Sequence, residues 1–338
     1  MFPVLAELPE PRAVERGPHH TLWQNVEEIT QATGDVTTQI RSYVELAAGL
    51  NYLSNGEWAE AREVIEVFPE GAVARQGQNQ VIFSGNLNMA GAIDLLAMDG
   101  NRFKSRIYGL SYFDALSGQT VLLAEIKDSV GQLVAPNQVL YPDAFTDLKA
   151  DVRYTYRRGS FEQDVVVLER LKPPADYGLP NDTTYLEVWT EFFDPPIPTV
   201  TTGVIRKETD PELRQKMVKP DFTDDWLDFG ELKIGGGKAF LVDSDPIRAT
   251  GINVEEWVPT GKSWVVADRR SFLVESVEFR AVAPFLDTLP VAAVAPKGGA
   301  PASNVATSSN SKRSRAEFVS RLPEAKGRSS VEPNHAVA

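Results

Sequence analysis

The chain has 338 residues with 34 Lys+Arg against 47 Asp+Glu, a net charge of −13, and 42% hydrophobic residues. That apolar content supports one large or two modest cores and excludes a chain disordered throughout, while the acidic balance argues against a nucleic-acid partner. Cysteine is absent and the histidines are His19, His20 and His335, so residues 21–334 can build no disulfide, no thiolate or histidine metal site and no histidine-based triad.

In chain order, residues 1–21 read as an extended leader; they carry prolines and acids and no cationic, apolar signal segment. Residues 22–40 are ambiguous, with Gly34-Asp35 and the threonines tilting toward a hairpin. Strands follow at 42–46, 64–68, 80–83, 92–96, 102–112, 120–127, 152–156, 161–168 and 185–192, each short and rich in β-branched or aromatic residues. In 152–156 the alternation puts Val152, Tyr154 and Tyr156 on one face; in 120–127 it puts Leu122, Ala124 and Ile126 together. Asn55-Gly56, Asp99-Gly100, Ser117-Gly118 and Arg158-Gly159 supply hairpin turns between such runs.

Three prolines in 194–198 break the pattern and mark a joint between a β domain over 22–193 and a smaller β domain over 199–290. A short helix is expected from a cap at Thr209 or Asp210, with Pro211 first, to about Val218. Strands resume at 232–234, 239–242, 252–258, 264–267 and 272–279. Residues 291–338 are rich in Ala, Ser, Pro and Gly, with seven basic residues against three acidic ones from Lys297 onward, and read as a disordered tail. The fold class is mainly β: an antiparallel, sandwich-like domain, a smaller β domain and that tail. No run reaches the length of a membrane span.

Three groups of residues carry the chemistry that remains. Glu162 and Asp164 share a strand face about 7 Å apart, a pairing that glycoside hydrolysis can use, although solvated strand faces often carry two acids. Tyr185, Glu187 and Trp189 share one face of 185–192, which suits either a carbohydrate platform or a contact beside the joint. Asp224, Asp225 and Asp228, with Asp221, form an acidic cluster around Trp226, and Asp243 with Asp245 a further one; such oxygens can hold Ca²⁺, although neither has an EF-hand spacing. No other cofactor is expected. Lys233-Ile234-Gly235-Gly236-Gly237-Lys238 lacks the phosphate-loop spacing and reads as a glycine-rich hairpin.

The pieces Tyr43-Val44-Glu45-Leu46-Ala47-Ala48-Gly49-Leu50-Asn51, Gly71-Ala72-Val73-Ala74-Arg75-Gln76-Gly77-Gln78 and Gly109-Leu110-Ser111-Tyr112-Phe113-Asp114 have a recognisable character. So do Glu63-Val64-Ile65-Glu66-Val67, Tyr141-Pro142-Asp143-Ala144-Phe145-Thr146-Asp147 and Phe161-Glu162-Gln163-Asp164-Val165. Together they resemble, over about 22–290, an uncharacterised β-rich region of large secreted bacterial proteins, found ahead of RHS/YD-type repeats or adhesion-like modules. The resemblance implies an exported or envelope setting and a structural or adhesive role. The partners it implies are other domains of a longer polypeptide, proteins or surface glycans, and it assigns no catalytic residue. The alternatives are a carbohydrate-binding module, a glycosidase using Glu162 and Asp164, and a soluble intracellular scaffold.

Overall fold

The computed structural model describes residues 10–31, 33–207, 209–216, 221–242, 257–291, 312–323 and 325–326. The first strands are β1 (Arg12–Gly17), β2 (His20–Thr30), β3 (Val36–Leu46), β4 (Asn51–Ser54) and β5 (Glu57–Glu60). A meander follows: β6 (Glu66–Phe68), β7 (Gly71–Ala74), β8 (Gln80–Ser84), β9 (Ile93–Leu96), β10 (Arg102–Asp114) and β11 (Gln119–Glu125). Then come β12 (Gln132–Ala135), β13 (Gln138–Tyr141), β14 (Ala150–Tyr156), β15 (Phe161–Val167), β16 (Thr184–Phe193), β17 (Thr199–Lys207), α1 (Pro211–Lys216) and β18 (Asp221–Asp228). The last elements are β19 (Lys233–Ile234), β20 (Lys238–Phe240), β21 (Trp257–Pro259), β22 (Gly261–Ala267), β23 (Arg270–Glu278), α2 (Phe279–Leu286), β24 (Arg313–Ser314) and α3 (Arg315–Ser320). The fold is mainly β, and each strand pairing is antiparallel. Among the described residues no helix is long and apolar enough to cross a membrane.

The largest sheet has ten strands in the order β22-β23-β16-β10-β9-β8-β7-β6, with β11 on β10 and β24 on β11. One edge of β10 is shared, Arg102–Ser105 pairing with β9 and Gly109–Asp114 with β11, while β16 runs along the other. The second layer is the four-stranded sheet β12-β13-β14-β15. Val152, Tyr154 and Tyr156 of β14 do share the core face, and the Tyr154 ring stacks on Phe161 and meets Phe83 of the large sheet. The layers are also tied by hydrogen bonds: the Tyr141 hydroxyl donates to the Ser84 carbonyl at 2.6 Å and Tyr156 to Asn79 at 2.8 Å. β11 departs from the expected alternation. A register shift against Leu110 and Ser111 turns Leu122 to the opposite face of the sheet from Ala124 and Ile126.

The Pro-rich joint does not divide the core. Beyond it, β17-β18-β19 and β20-β21 form small sheets, after which β22 and β23 rejoin the large sheet. β23 pairs with β16 from Tyr185↔Glu278 to Phe192↔Ser271, and Phe229 packs edge-on against Phe103 at 5.0 Å. The expected helix is present as α1, with the Asp210 side chain accepting from the Glu212 N–H. The glycine-rich hairpin is not: β19 pairs with β18 and β20 with β21. Gly235 crosses the Trp226 ring so closely that a Cβ would lie 2.5 Å from it, so this stretch is a crossing between two sheets.

Both termini of the expected layout change. Within the leader, Arg12–Gly17 is a strand paired with β2, its turn held by Asn51, whose amide donates to the Gly17 and His20 carbonyls at 2.8 and 2.9 Å. Within the tail, residues 312–323 are ordered as β24 and α3 on the large sheet, so the expectation of disorder does not extend to them.

β2 and β3 form the hairpin expected of 22–40, its turn closed by Gln31 N–H to the Asp35 carbonyl at 2.8 Å. The base of this three-stranded arm meets the body at Gly49. There φ is +67° and a Cβ would lie 1.9 Å from the Arg158 carbonyl oxygen. Gly49→Ala is therefore expected to cost at least about 1–2 kcal/mol from the left-handed backbone alone, read as a lowered urea midpoint, with a shifted arm base.

Candidate functional site

Alternation along β16 brings Tyr185, Glu187, Trp189 and Glu191 to one face, as the sequence implies, but that face is covered. Trp189 is 0% exposed, packed between Phe272 and Phe318 of α3 at ring distances of 5.7 and 5.2 Å. Its indole N–H donates to Ser111 Oγ at 2.9 Å and Glu187 Oε2 at 3.2 Å, while the Ser111 hydroxyl also donates to Glu187. Arg315 of α3 closes an ion pair with Glu187. Burial pushes the Glu187 carboxyl up, and the Arg315 charge is the first influence opposing it. Tyr185 stacks on Phe222 of β18 at 5.8 Å. The carbohydrate platform is thus corrected to an internal packing surface. Trp189 and Glu187 are taken up by a segment about 128 residues further on.

Beside it lies a buried ion triad that the sequence reading missed. Glu191 accepts from Arg270 Nε at 2.7 Å and from Arg106 at 3.4 Å, all three side chains being buried. Arg270 also donates to the Leu322 carbonyl at 2.8 Å, tying the tail to the sheet.

The acid pair is split by its neighbours. Glu162 is exposed and faces Arg157 at 3.4 Å, whereas Asp164 accepts from Arg153 Nε and a terminal nitrogen at 3.0 and 2.9 Å. Three of the aspartates considered for Ca²⁺ have separate partners. Asp224 is buried with Lys262 Nζ at 2.5 Å, Asp225 accepts from the Thr202 hydroxyl at 2.5 Å, and Asp228 meets Lys233 at 3.2 Å. They do not converge, because alternation and β17, β19 and β22 draw them apart, and no group of three metal-ligating side chains occurs among the described residues. Asp243 and Asp245 lie outside the described residues.

The structure does bring Asp164 and Asp224 into electrostatic reach of Glu275, a residue the sequence reading passed over. Glu275 lies opposite Lys262 in the β22–β23 ladder. Burial pushes its carboxyl up to about 7, Asp164 and Asp224 act in the same direction, and Lys262 opposes them. Its only sequence signal is its place between Leu273 and Val277 on an otherwise apolar face.

A group of this kind exchanges a proton near neutral pH, and its first consequence is for stability. Between the ordinary glutamate pKa of 4.5 and about 7 the folded state holds the proton more tightly than the unfolded one. Stability therefore falls as pH rises through that window, by at most about 3 kcal/mol. Glu275→Gln is expected to remove that slope and to raise the urea midpoint at pH 8.

The arm offers an open surface. β3 is the edge strand of the order β1-β2-β3, and all eleven of its residues are exposed. Val36, Ile40, Val44 and Leu46 share one face at 59, 59, 55 and 75% exposure, with Thr38 and Ser42 between them. The opposite face carries Thr37, Gln39, Arg41, Tyr43 and Glu45; there Tyr43 stacks on Trp23, whose indole N–H donates to Glu45 at 2.8 Å. At about 3.4 Å per residue the strand is roughly 35 Å long. Comparison with family models, with curated proteins and with solved structures gave no match to this chain.

Proposed function

We propose that this chain is a non-catalytic structural or adhesion module of a secreted or surface bacterial protein, engaging its partners through the β1–β3 arm. The observation that carries the reading is β3: an eleven-residue edge strand, exposed throughout, with an apolar stripe on one face. Long flat edges of this kind are templates for strand pairing, and proteins that do not use them blunt them with charge, proline or cover. β3 carries only Arg41 and Glu45 as charged residues and no proline. The resemblance to regions ahead of RHS/YD-type repeats supports the exported setting, where other domains, proteins or surface glycans are the available partners.

Fractionating the source cells and mapping the ends of the native polypeptide by mass spectrometry tests the setting. An exported chain containing these residues is expected; confinement to the cytoplasm overturns it. Binding of surface extract or cells to the intact protein, compared with Ile40→Lys/Val44→Lys, tests the role. Equal binding by both proteins removes the arm from it.

A further inference from the structure

We propose that Lys262 and Asp224 condense to an amide, a covalent cross-link between the β17-β18-β19 sheet and the large sheet, with Glu275 carrying the proton. The cross-link is independent of what the arm binds. Both side chains are buried, the residues being 4 and 2% exposed, and Lys262 Nζ lies 2.5 Å from Asp224 Oδ1. Even at that distance the amine makes no hydrogen bond among the described residues, so it meets the carboxyl outside the hydrogen-bonding directions. Oδ1 accepts instead from the Lys262 backbone N–H at 3.0 Å. Asp164, the other aspartate acting on Glu275, is held by Arg153, which leaves Asp224 as the carboxyl that Lys262 meets.

Close backbone packing brings the pair together and keeps it dry. β22 begins at Gly261, where a Cβ would lie 2.4 Å from the Thr223 carbonyl oxygen of β18. Gly237 is packed as tightly: a Cβ there would lie 2.1 Å from Thr260 Oγ1 and 3.2 Å from Glu275 Oε1. Away from water a neutral amine and acid gain on the ion pair, and contact within a folded site makes their condensation an internal reaction. The proton first passes from the ammonium to Oδ2. Nζ then attacks Cγ, the carbonyl electron pair moves onto Oδ1, and the Lys262 N–H stabilises the charge there. The Glu275 carboxyl, opposite Lys262 in the β22–β23 ladder, gives its proton to the Oδ2 hydroxyl and takes one from Nζ. The Cγ–Oδ2 bond breaks, one water leaves, and Glu275 returns to its starting form. The amide carries no charge, which removes the cost of burying two ions. In a chain without cysteine it closes a loop over 38 residues, as a disulfide would.

Intact mass spectrometry of the purified full chain tests the cross-link. The expected mass is that of the sequence less one water, and trypsin is expected to release fragments 217–233 and 249–269 as one joined species, uncut at Lys262. The joined species distinguishes the cross-link from succinimide formation at Asp99-Gly100, which loses the same water. Lys262→Arg keeps a charge opposite Asp224 but offers no amine, and Asp224→Ala offers no carboxyl. Each variant is expected to show its full mass and separate fragments. In cell-free synthesis stopped with denaturant at timed intervals, Glu275→Gln is expected to lose the water at least about tenfold more slowly than the parent, reaching the same end point. A parent of full mass with separate fragments overturns the cross-link, as do joined fragments in Lys262→Arg. Closure of Glu275→Gln at the parent's rate overturns the role given to Glu275.

Discussion

Glu191→Ala is expected to destabilise the protein by about 3–5 kcal/mol, because removing one partner of a buried ion pair strands the other charge. Here a single carboxylate serves two guanidinium groups, Arg270 at 2.7 Å and Arg106 at 3.4 Å, and none of the three is open to water. Arg106 keeps one neighbour, donating to Asn88 Oδ1 at 3.2 Å, and Arg270 keeps the Leu322 carbonyl. Neither neutral acceptor replaces the lost charge. Chemical denaturation at neutral pH measures the effect. A loss below about 1 kcal/mol, the scale of an exposed ion pair, would mean that water reaches the triad in solution.

Phe318→Ala is expected to be of similar size, about 3–5 kcal/mol, the usual cost of emptying a buried aromatic site. Its ring is 2% exposed and lies 5.2 Å from that of Trp189, in the small core that also holds Tyr108, Phe272 and Val274. The loss would loosen the contact that presses α3 onto the sheet, so a red shift in tryptophan emission should accompany the lower urea midpoint. Arg315→Ala would act on the same contact by another route, leaving the buried Glu187 carboxylate without its counter-charge. If Phe318→Ala leaves both midpoint and emission unchanged, the tail does not cover Trp189 in solution.

These two sites also mark where sequence reasoning lost the structure. The strands expected at 102–112, 152–156 and 161–168 lie close to β10, β14 and β15 because each carries its own local signal, an alternation bounded by turn residues. Asn55-Gly56 turns as its residue types require, with φ of 53° and 85° between β4 and β5. β1 was missed because its turn at Pro18-His19 is held by Asn51, more than 30 residues away. The face of β16 left a carbohydrate platform and a packing contact both open because its residues are polar or amphipathic, and nothing local says that Arg315 and Phe318 will cover them. α3 itself sits in a basic, small-residue stretch whose average composition hides one buried pair, Phe318-Val319. Glu275 was passed over because its perturbation comes first from burial, and then from the charges that β15, β18 and β22 set around it, none of which its local sequence displays.

The seating of α3 also sets an order on folding. A polypeptide emerging from the ribosome N-terminus first has β10, β11, β16 and β23 available well before Arg315 and Phe318 exist. During that interval Trp189 lacks the Phe318 ring that covers it, and the bond between Arg270 and the Leu322 carbonyl closes over 52 residues. Lys326 reaches back further still, to Asp128 across 198 residues. Contacts this distant in sequence slow folding and leave sticky intermediates. Synthesis at reduced temperature or with a holdase chaperone should therefore raise the soluble yield of the full chain.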